Sequence, residues 1–106
     1  MSTKLIQGDS LWLDITGDVA SQDPDWNNWT GHWAIVPTIG GTPAASDTLI
    51  KTATIGKFRL QVSTTVSAGL SVGNYFLVVQ VENVTADYRK EIAQEKLVVQ
   101  AQGITP

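Results

Sequence analysis

The sequence predicts an all-β sandwich of about seven short strands, built as one domain over residues 1–106. Val, Ile and Thr together supply 31 of the 106 residues, and these are the types that fit a pleated, half-buried surface. Charged residues make up only 16%, below the roughly 25% of an ordinary globular chain. Several segments alternate apolar and polar residues with a period of two, and turn signals separate them every 8 to 12 residues or so, the pattern of a sandwich. A mass of 11.4 kDa leaves room for one core.

In chain order, Leu5 and Ile6 make a short lead-in strand that a turn or bulge at Gly8-Asp9 breaks. Leu11, Leu13 and Ile15 alternate with Trp12 and Asp14, so this strand has one buried face and one face bearing a tryptophan and a carboxylate. From Gly17 to Gly31 the periodicity stops and Asp, Asn, Ser, Gly and Pro surround Trp26 and Trp29, which reads as the longest loop. Trp33 to Val36 resumes a strand, Pro37 ends it, and Ile39 to Pro43 is a turn. Leu49 to Ile55 reads as a strand of mixed alternation, followed by the regular alternation of Lys57 to Val62. Gly56 between them permits either a hairpin or one bent strand.

Ser67 to Asn74 is a Gly/Ser turn region, Tyr75 to Val81 has the apolar continuity of a central strand, and Asn83 to Asp87 closes it. Residues 87–96 carry the strongest helix formers in the chain. Tyr88 and Ile92 would share a helical face, but Lys96 falls at its next position and no capping box precedes it. The reading is a long final strand ending in Leu97-Val98-Val99, with a helical turn as the alternative. An uncharged tail occupies about 101–106, and no internal repeat is visible.

Charge and composition exclude more functions than they select. A net charge of −3 and a pI near 4.8 supply no positive field for phosphates, so neither nucleic acid nor an acidic membrane surface is expected as a partner. The absence of cysteine removes disulfides, thiol nucleophiles and thiolate metal sites. No apolar run approaches the roughly 18 residues that span a bilayer, and Met-Ser-Thr-Lys lacks the character of a secretory signal. Synthesis in a reducing cytoplasm is expected.

Motifs for chemistry lack their supports. Gly8-Asp9-Ser10-Leu11 matches the motif that names a family of serine esterases, whose serine needs a histidine base and backbone oxyanion donors. The only histidine, His32, does not stand in the Asp-x-x-His element near the C-terminus that such enzymes carry. Gly69-Leu70-Ser71-Val72-Gly73 matches a nucleophile elbow, but no histidine follows it and a strand does, so its glycines are read as a tight turn. Asp23, Asp25 and Asn27 have the opening spacing of an EF-hand loop, yet Asn28 stands where glycine is needed and Ala34 where glutamate is needed. A weaker oxygen-ligand site at Asp23 and Asp25 is outweighed by a solvated Asp-Pro-Asp turn. Asn28-Trp29-Thr30 and Asn83-Val84-Thr85 match the glycosylation pattern without a signal sequence. The chain is therefore expected to be no enzyme, with no catalytic residue, no cofactor and no metal.

The tryptophans are the remaining signal. Trp12 lies opposite the core face of its strand, while Trp26 and Trp29 sit in the polar loop. Exposed aromatics of this kind mark a protein interface or a sugar-stacking platform. Against that stands the reading in which Trp33 fills the core and Trp26 or Trp29 caps one end of the sandwich.

Leu70-Ser71-Val72-Gly73-Asn74-Tyr75-Phe76-Leu77 resembles the start of strand F in immunoglobulin-like domains, where a tyrosine hydroxyl bonds back to the corner backbone. That resemblance puts Leu77 at the second cysteine position, Trp33 at the strand C tryptophan, and Leu11 or Leu13 at the first cysteine. Over more of the chain, Ile6 to Leu13, the Gly-x-Tyr strand start and the closing Glu95-Lys96-Leu97-Val98-Val99 are similar to the immunoglobulin-like N-terminal domains of tailed-phage baseplate upper proteins, and to small stand-alone phage proteins like them. The resemblance implies a non-enzymatic virion part that is made in the host cytoplasm and assembles with other virion proteins and copies of itself. Those baseplate proteins carry a long C-terminal extension, so a capsid decoration role stands beside the tail or baseplate role. The expected contacts are Trp12, Trp26, Trp29 and, in the tail, Ile104, together with exposed sheet edges. The alternative function is a carbohydrate-binding module that stacks a sugar on Trp26 and Trp29.

Overall fold

Phe58, Leu60 and Val62 alternate with Lys57, Arg59 and Gln61, and all three apolar side chains are fully buried. They belong to β6 (Lys57–Val62), the middle strand of one of two sheets. The computed structural model describes residues 2–17, 26–83, 85 and 88–102. In it β6 lies between β2 (Leu11–Thr16) and β5 (Ile50–Lys51), making an antiparallel three-stranded sheet in the order β2-β6-β5. The second sheet has five strands, β1 (Ser2–Ile6), β8 (Tyr88–Gln100), β7 (Gly73–Asn83), β3 (Trp29–Val36) and β4 (Ala45–Thr48), in that spatial order. Every pairing in it is antiparallel except that of β1 with β8.

This is an all-β sandwich. The order β8-β7-β3-β4 on one side and β2-β6-β5 on the other reproduces the G-F-C-C′ and B-E-D arrangement of immunoglobulin-like domains. Between the sheets lie Trp33, Ile35, Leu77, Val79, Val81, Leu97 and Val99 from the larger sheet, against Phe58, Leu60 and Val62. Leu77 and Trp33 thus take core positions, as the resemblance implies. Leu11 and Leu13 are only half-buried.

The strand expected at Leu49–Ile55 is corrected. The chain instead forms β4, crosses between sheets at Leu49, and continues as β5. Gly31 on β3 makes the crossing fit. Its carbonyl accepts from the Leu49 N–H at 2.7 Å, and a Cβ on Gly31 would stand 2.5 Å from Leu49 Cδ1. Of the two arrangements open at Gly56, the hairpin is observed, with Ile50 opposite Arg59 and Gly56 at φ 85°. The polar loop ends earlier than expected. Trp26–Asn28 form a 3-10 turn, and β3 already begins at Trp29.

Residues 88–96 are strand, not helix, because β8 pairs along its length with β7 and, near its end, with β1. The β7 ladder, which runs along Tyr88 to Lys96, outweighs helix propensities of a few tenths of a kcal/mol per residue. The bulge opposite Val79/Gln80 absorbs the irregular spacing of Ile92 and Ala93. One element is unexpected, the short helix α1 (Thr64–Ala68), capped by Ser63, whose hydroxyl accepts from the Val66 N–H at 3.2 Å. Its buried Ser67 donates to the Asp9 carbonyl at 2.6 Å, tying the helix to the turn between β1 and β2.

The Tyr75 hydroxyl donates to the Ser71 carbonyl at 2.8 Å, the corner bond expected from the sequence. Because this bond lies near solvent, Tyr75→Phe should cost about 0.5–1 kcal/mol. Urea unfolding measures it, and an unchanged midpoint would remove the corner from the stability account.

Candidate functional site

On the three-stranded sheet the residues between the core positions point outward and make a small mixed face. Trp12 on β2 is 64% exposed and Ile50 on β5 is 47% exposed. Register places Gln61 opposite Trp12, and Arg59 opposite both Asp14 and Ile50. The Arg59 guanidinium lies 5.9 Å from the Trp12 ring centroid, and its Nε is 3.7 Å from Asp14 Oδ1. One arginine therefore spans a tryptophan and a carboxylate at the surface. Ser10, Asp47, Thr48 and Ser63 extend this face into a shallow groove with Trp12, Ile50 and Gln61.

Of the two placements the sequence leaves open for the loop tryptophans, exposed or capping one end of the sandwich, the capping one is observed. Trp29 is the first residue of β3, 6% exposed, with its ring edge-on to Tyr88 at 5.3 Å between centroids. Trp26 is half-buried and covers Phe58, ring centroids 5.1 Å apart, with Lys51 Nζ 5.5 Å above it. Lys51 Nζ also donates to the Trp26 and Asn27 carbonyls, at 3.2 Å each. The expected exposure of Trp29 is corrected, because the alternation of β3 turns Trp29, Gly31, Trp33 and Ile35 inward. The two rings cap one end of the sandwich, and a sugar-stacking platform made of both is not present at the surface. Ile104, Asp23 and Asp25 lie outside the described residues.

His32 occupies the outer face of the five-stranded sheet, where its Nε2 donates to Glu82 Oε1 at 3.1 Å. Arg89 Nη2 and Nε donate to Glu82 Oε2 at 3.1 and 3.3 Å. The His32 bond foremost, then the Arg89 bond, holds the Glu82 carboxyl below its ordinary pKa against the opposing effect of burial. This three-strand cluster joins β3, β7 and β8, and the sequence reading missed it. Its signal was the two-residue alternation that puts His32 and Glu82 on outward faces.

Ser10 precedes β2 in the other sheet, His32 is engaged by Glu82, and the Gly8-Asp9 segment is a turn. The Asp9 N–H donates to the Ile6 carbonyl at 3.0 Å, and Gly8 has φ 86°. Ser71 follows α1, not a strand, and its carbonyl accepts the Tyr75 bond. Among the described residues no three His, Asp or Glu side chains stand together as a metal site would require. A cleft between β4 and β6–α1 is lined by Ala45, Gln61, Ser63, Thr65 and Leu70. Trp33 Nε1 beside it has no hydrogen-bond partner among the described residues but is shielded from solvent, so the cleft does not present it to a ligand. A scan against protein-family models gives no match, and a search of the curated proteins finds none that matches.

Two measurements check this assignment. Trp29→Ala should destabilise by about 3–5 kcal/mol, the range for emptying a buried aromatic site, whereas Trp12→Ala should change stability by no more than about 0.5 kcal/mol. Equal losses in urea unfolding would contradict the placement of the two rings. Glu82 is easier to deprotonate folded than unfolded, so its contribution is complete above the unfolded carboxyl value of about 4.3 and is lost as pH falls through the lower folded value. The stability gap between wild type and Glu82→Gln should therefore be constant near neutrality and close as pH drops below about 4. A gap that persists in acid would mean that the carboxylate charge contributes nothing.

Proposed function

We propose that this chain is a non-enzymatic structural component of a tailed-phage virion, either decorating the capsid or forming part of the tail or baseplate. It acts through contacts with other virion proteins and with copies of itself. The observation that carries the reading is the outer face of the three-stranded sheet, where Trp12, Arg59 and Ile50 stand exposed together. Tryptophan and arginine are the types most enriched at energetic centres of protein interfaces. The likeness of Ile6–Leu13, Gly73–Tyr75 and Glu95–Val99 to phage baseplate domains supplies the virion context. On a particle with many sites, weak contacts by each copy add through effective concentration, so a modest face suffices.

Mass spectrometry of particles banded on a density gradient from the source culture tests the reading. Peptides of this chain are expected in the particle band at the level of a structural protein. Their absence from the band, with the chain present free in the same lysate, would overturn it.

A further inference from the structure

Each sheet of an open sandwich ends in strands whose outer backbone groups face solvent, and proteins blunt such edges with short strands, lysine, proline or bulges. Here β5 has two residues, β4 has four polar or small ones including Asp47 and follows Pro43, and β1 carries Lys4. The remaining edge, β2, is longer than β4 or β5 and has no lysine, proline or bulge, its one charge being Asp14. Leu11-Trp12-Leu13-Asp14-Ile15-Thr16 runs for six residues, and among the described residues β6 is its one strand partner. Its inward side chains Leu11, Leu13 and Ile15 are only half-buried, unlike the fully buried Phe58, Leu60 and Val62 beside them.

The direction of the free backbone groups follows from the ladder. The Gly17 N–H donates to the Gly56 carbonyl at 2.8 Å, one step beyond the Thr16↔Lys57 pair. On the other side of β6, the Thr52 N–H donates to the Lys57 carbonyl, so Lys57 bonds β5 and its neighbour Gly56 bonds β2. Hydrogen-bonded pairs alternate in an antiparallel ladder. Leu11, Leu13 and Ile15 therefore bond β6, while Trp12, Asp14 and Thr16 turn their N–H and C=O groups to the open edge.

We propose that β2 is a self-association edge, pairing antiparallel across a two-fold axis with β2 of a second copy of this chain, with Leu13 opposite Leu13 at the axis. The proposal deepens the assembly reading above and rests on it for the premise that copies of the chain meet. In this register Trp12 faces Asp14 of the second copy, and Ser10 faces Thr16. Trp12 and Asp14 carry free backbone groups, so each of their two symmetric pairs exchanges both hydrogen bonds, while Ser10 stands one residue before the strand. On the inner face Leu11 meets Ile15 of the second copy, and all three half-buried side chains gain an apolar partner. On the outer face the second carboxylate comes beside the Trp12 ring that already carries Arg59, an arrangement of unlike charges.

The neighbouring in-phase registers are worse. Placing Asp14 at the axis sets two carboxylates opposite each other. Placing Trp12 there leaves Ile15 facing Asp9, outside the strand. The paired copies would form one continuous six-stranded sheet, β5-β6-β2 followed by its two-fold mate.

Sedimentation equilibrium of the full chain tests the proposal. The mass should rise with concentration from 11.4 kDa toward twice that value. Asp14→Pro removes an N–H that the monomer does not use, and should stay monomeric with unchanged circular dichroism, since proline is tolerated on an edge strand. Should that variant unfold, Asp14→Lys, which replaces the carboxylate brought beside the second copy's Trp12 and Arg59 by a cation, should weaken association by about two- to thirtyfold over the two symmetric pairs.

The register has its own readout, because the chain contains no cysteine. Cα atoms of a non-hydrogen-bonded pair lie about 4.5 Å apart, within disulfide reach. Leu13→Cys should oxidise to a covalent dimer, and Trp12→Cys should not. A wild type that stays at 11.4 kDa into the millimolar range, or association unaffected by the Asp14 variants, would overturn the edge. Cross-linking through Trp12→Cys but not Leu13→Cys would overturn the register. A monomeric wild type still found in banded particles would remove this inference and leave the virion reading standing.

Discussion

The parallel pairing of β1 with β8 decides the shape of everything around it. Gly8, at φ 86° in the turn closed by the Asp9 N–H and the Ile6 carbonyl, redirects the chain from the five-stranded sheet into the three-stranded one. Had β1 run beside β2, the smaller sheet would have gained a fourth strand and Leu11, Leu13 and Ile15 would be covered. Because β1 joins the larger sheet, a three-stranded layer faces a five-stranded one, and among the described residues β2 is left as an edge whose inward Leu11, Leu13 and Ile15 are only half-buried.

Within that constraint the core is closed by devices at its ends. At one end Trp26 and Trp29 lie over Phe58 and against Tyr88, and Lys51 ties the 3-10 turn to β5. At the other, α1 is anchored through Ser67 to the Asp9 carbonyl, and Gln7 donates to the Leu70 carbonyl at 2.6 Å. The crossing at Leu49 depends on the missing side chain of Gly31. These contacts hold the rim of the sandwich. One outer face carries the His32–Glu82–Arg89 cluster, the other Trp12, Arg59 and Ile50.

The strands with a clean period of two and the one continuous apolar run were legible from sequence. Leu11–Ile15, Lys57–Val62 and Tyr75–Val81 lie in strands β2, β6 and β7, and Trp12 is exposed as its alternation required. The final strand was legible too, because the failure of the helical face at Lys96 outweighed local propensity. Leu49–Ile55 misled because a strand that changes sheets at one residue has no single inner face, so its apolar pattern mixes two alternations. Trp29 misled for a related reason. Its neighbours Asn27, Asn28 and Thr30 are polar, and the residue that shares its inward face, Gly31, has no apolar signal to extend the strand backwards. Helix α1 was hidden in a Ser/Thr-rich segment whose cap, Ser63, resembles any turn serine. The edge character of β2 could not be read at all, since it depends on which sheet β1 chooses.

Six backbone groups along β2 decide whether this edge is open, and residue-resolved amide exchange across a dilution series reads their N–H members directly. At low concentration the amides of Leu11, Leu13 and Ile15 should be protected and those of Trp12, Asp14 and Thr16 should exchange freely. As concentration rises, Trp12, Asp14 and Thr16 should gain protection together while the other three change little. Protection of Trp12, Asp14 and Thr16 that is already full at high dilution, or that never develops, would contradict an open edge that closes on a second copy.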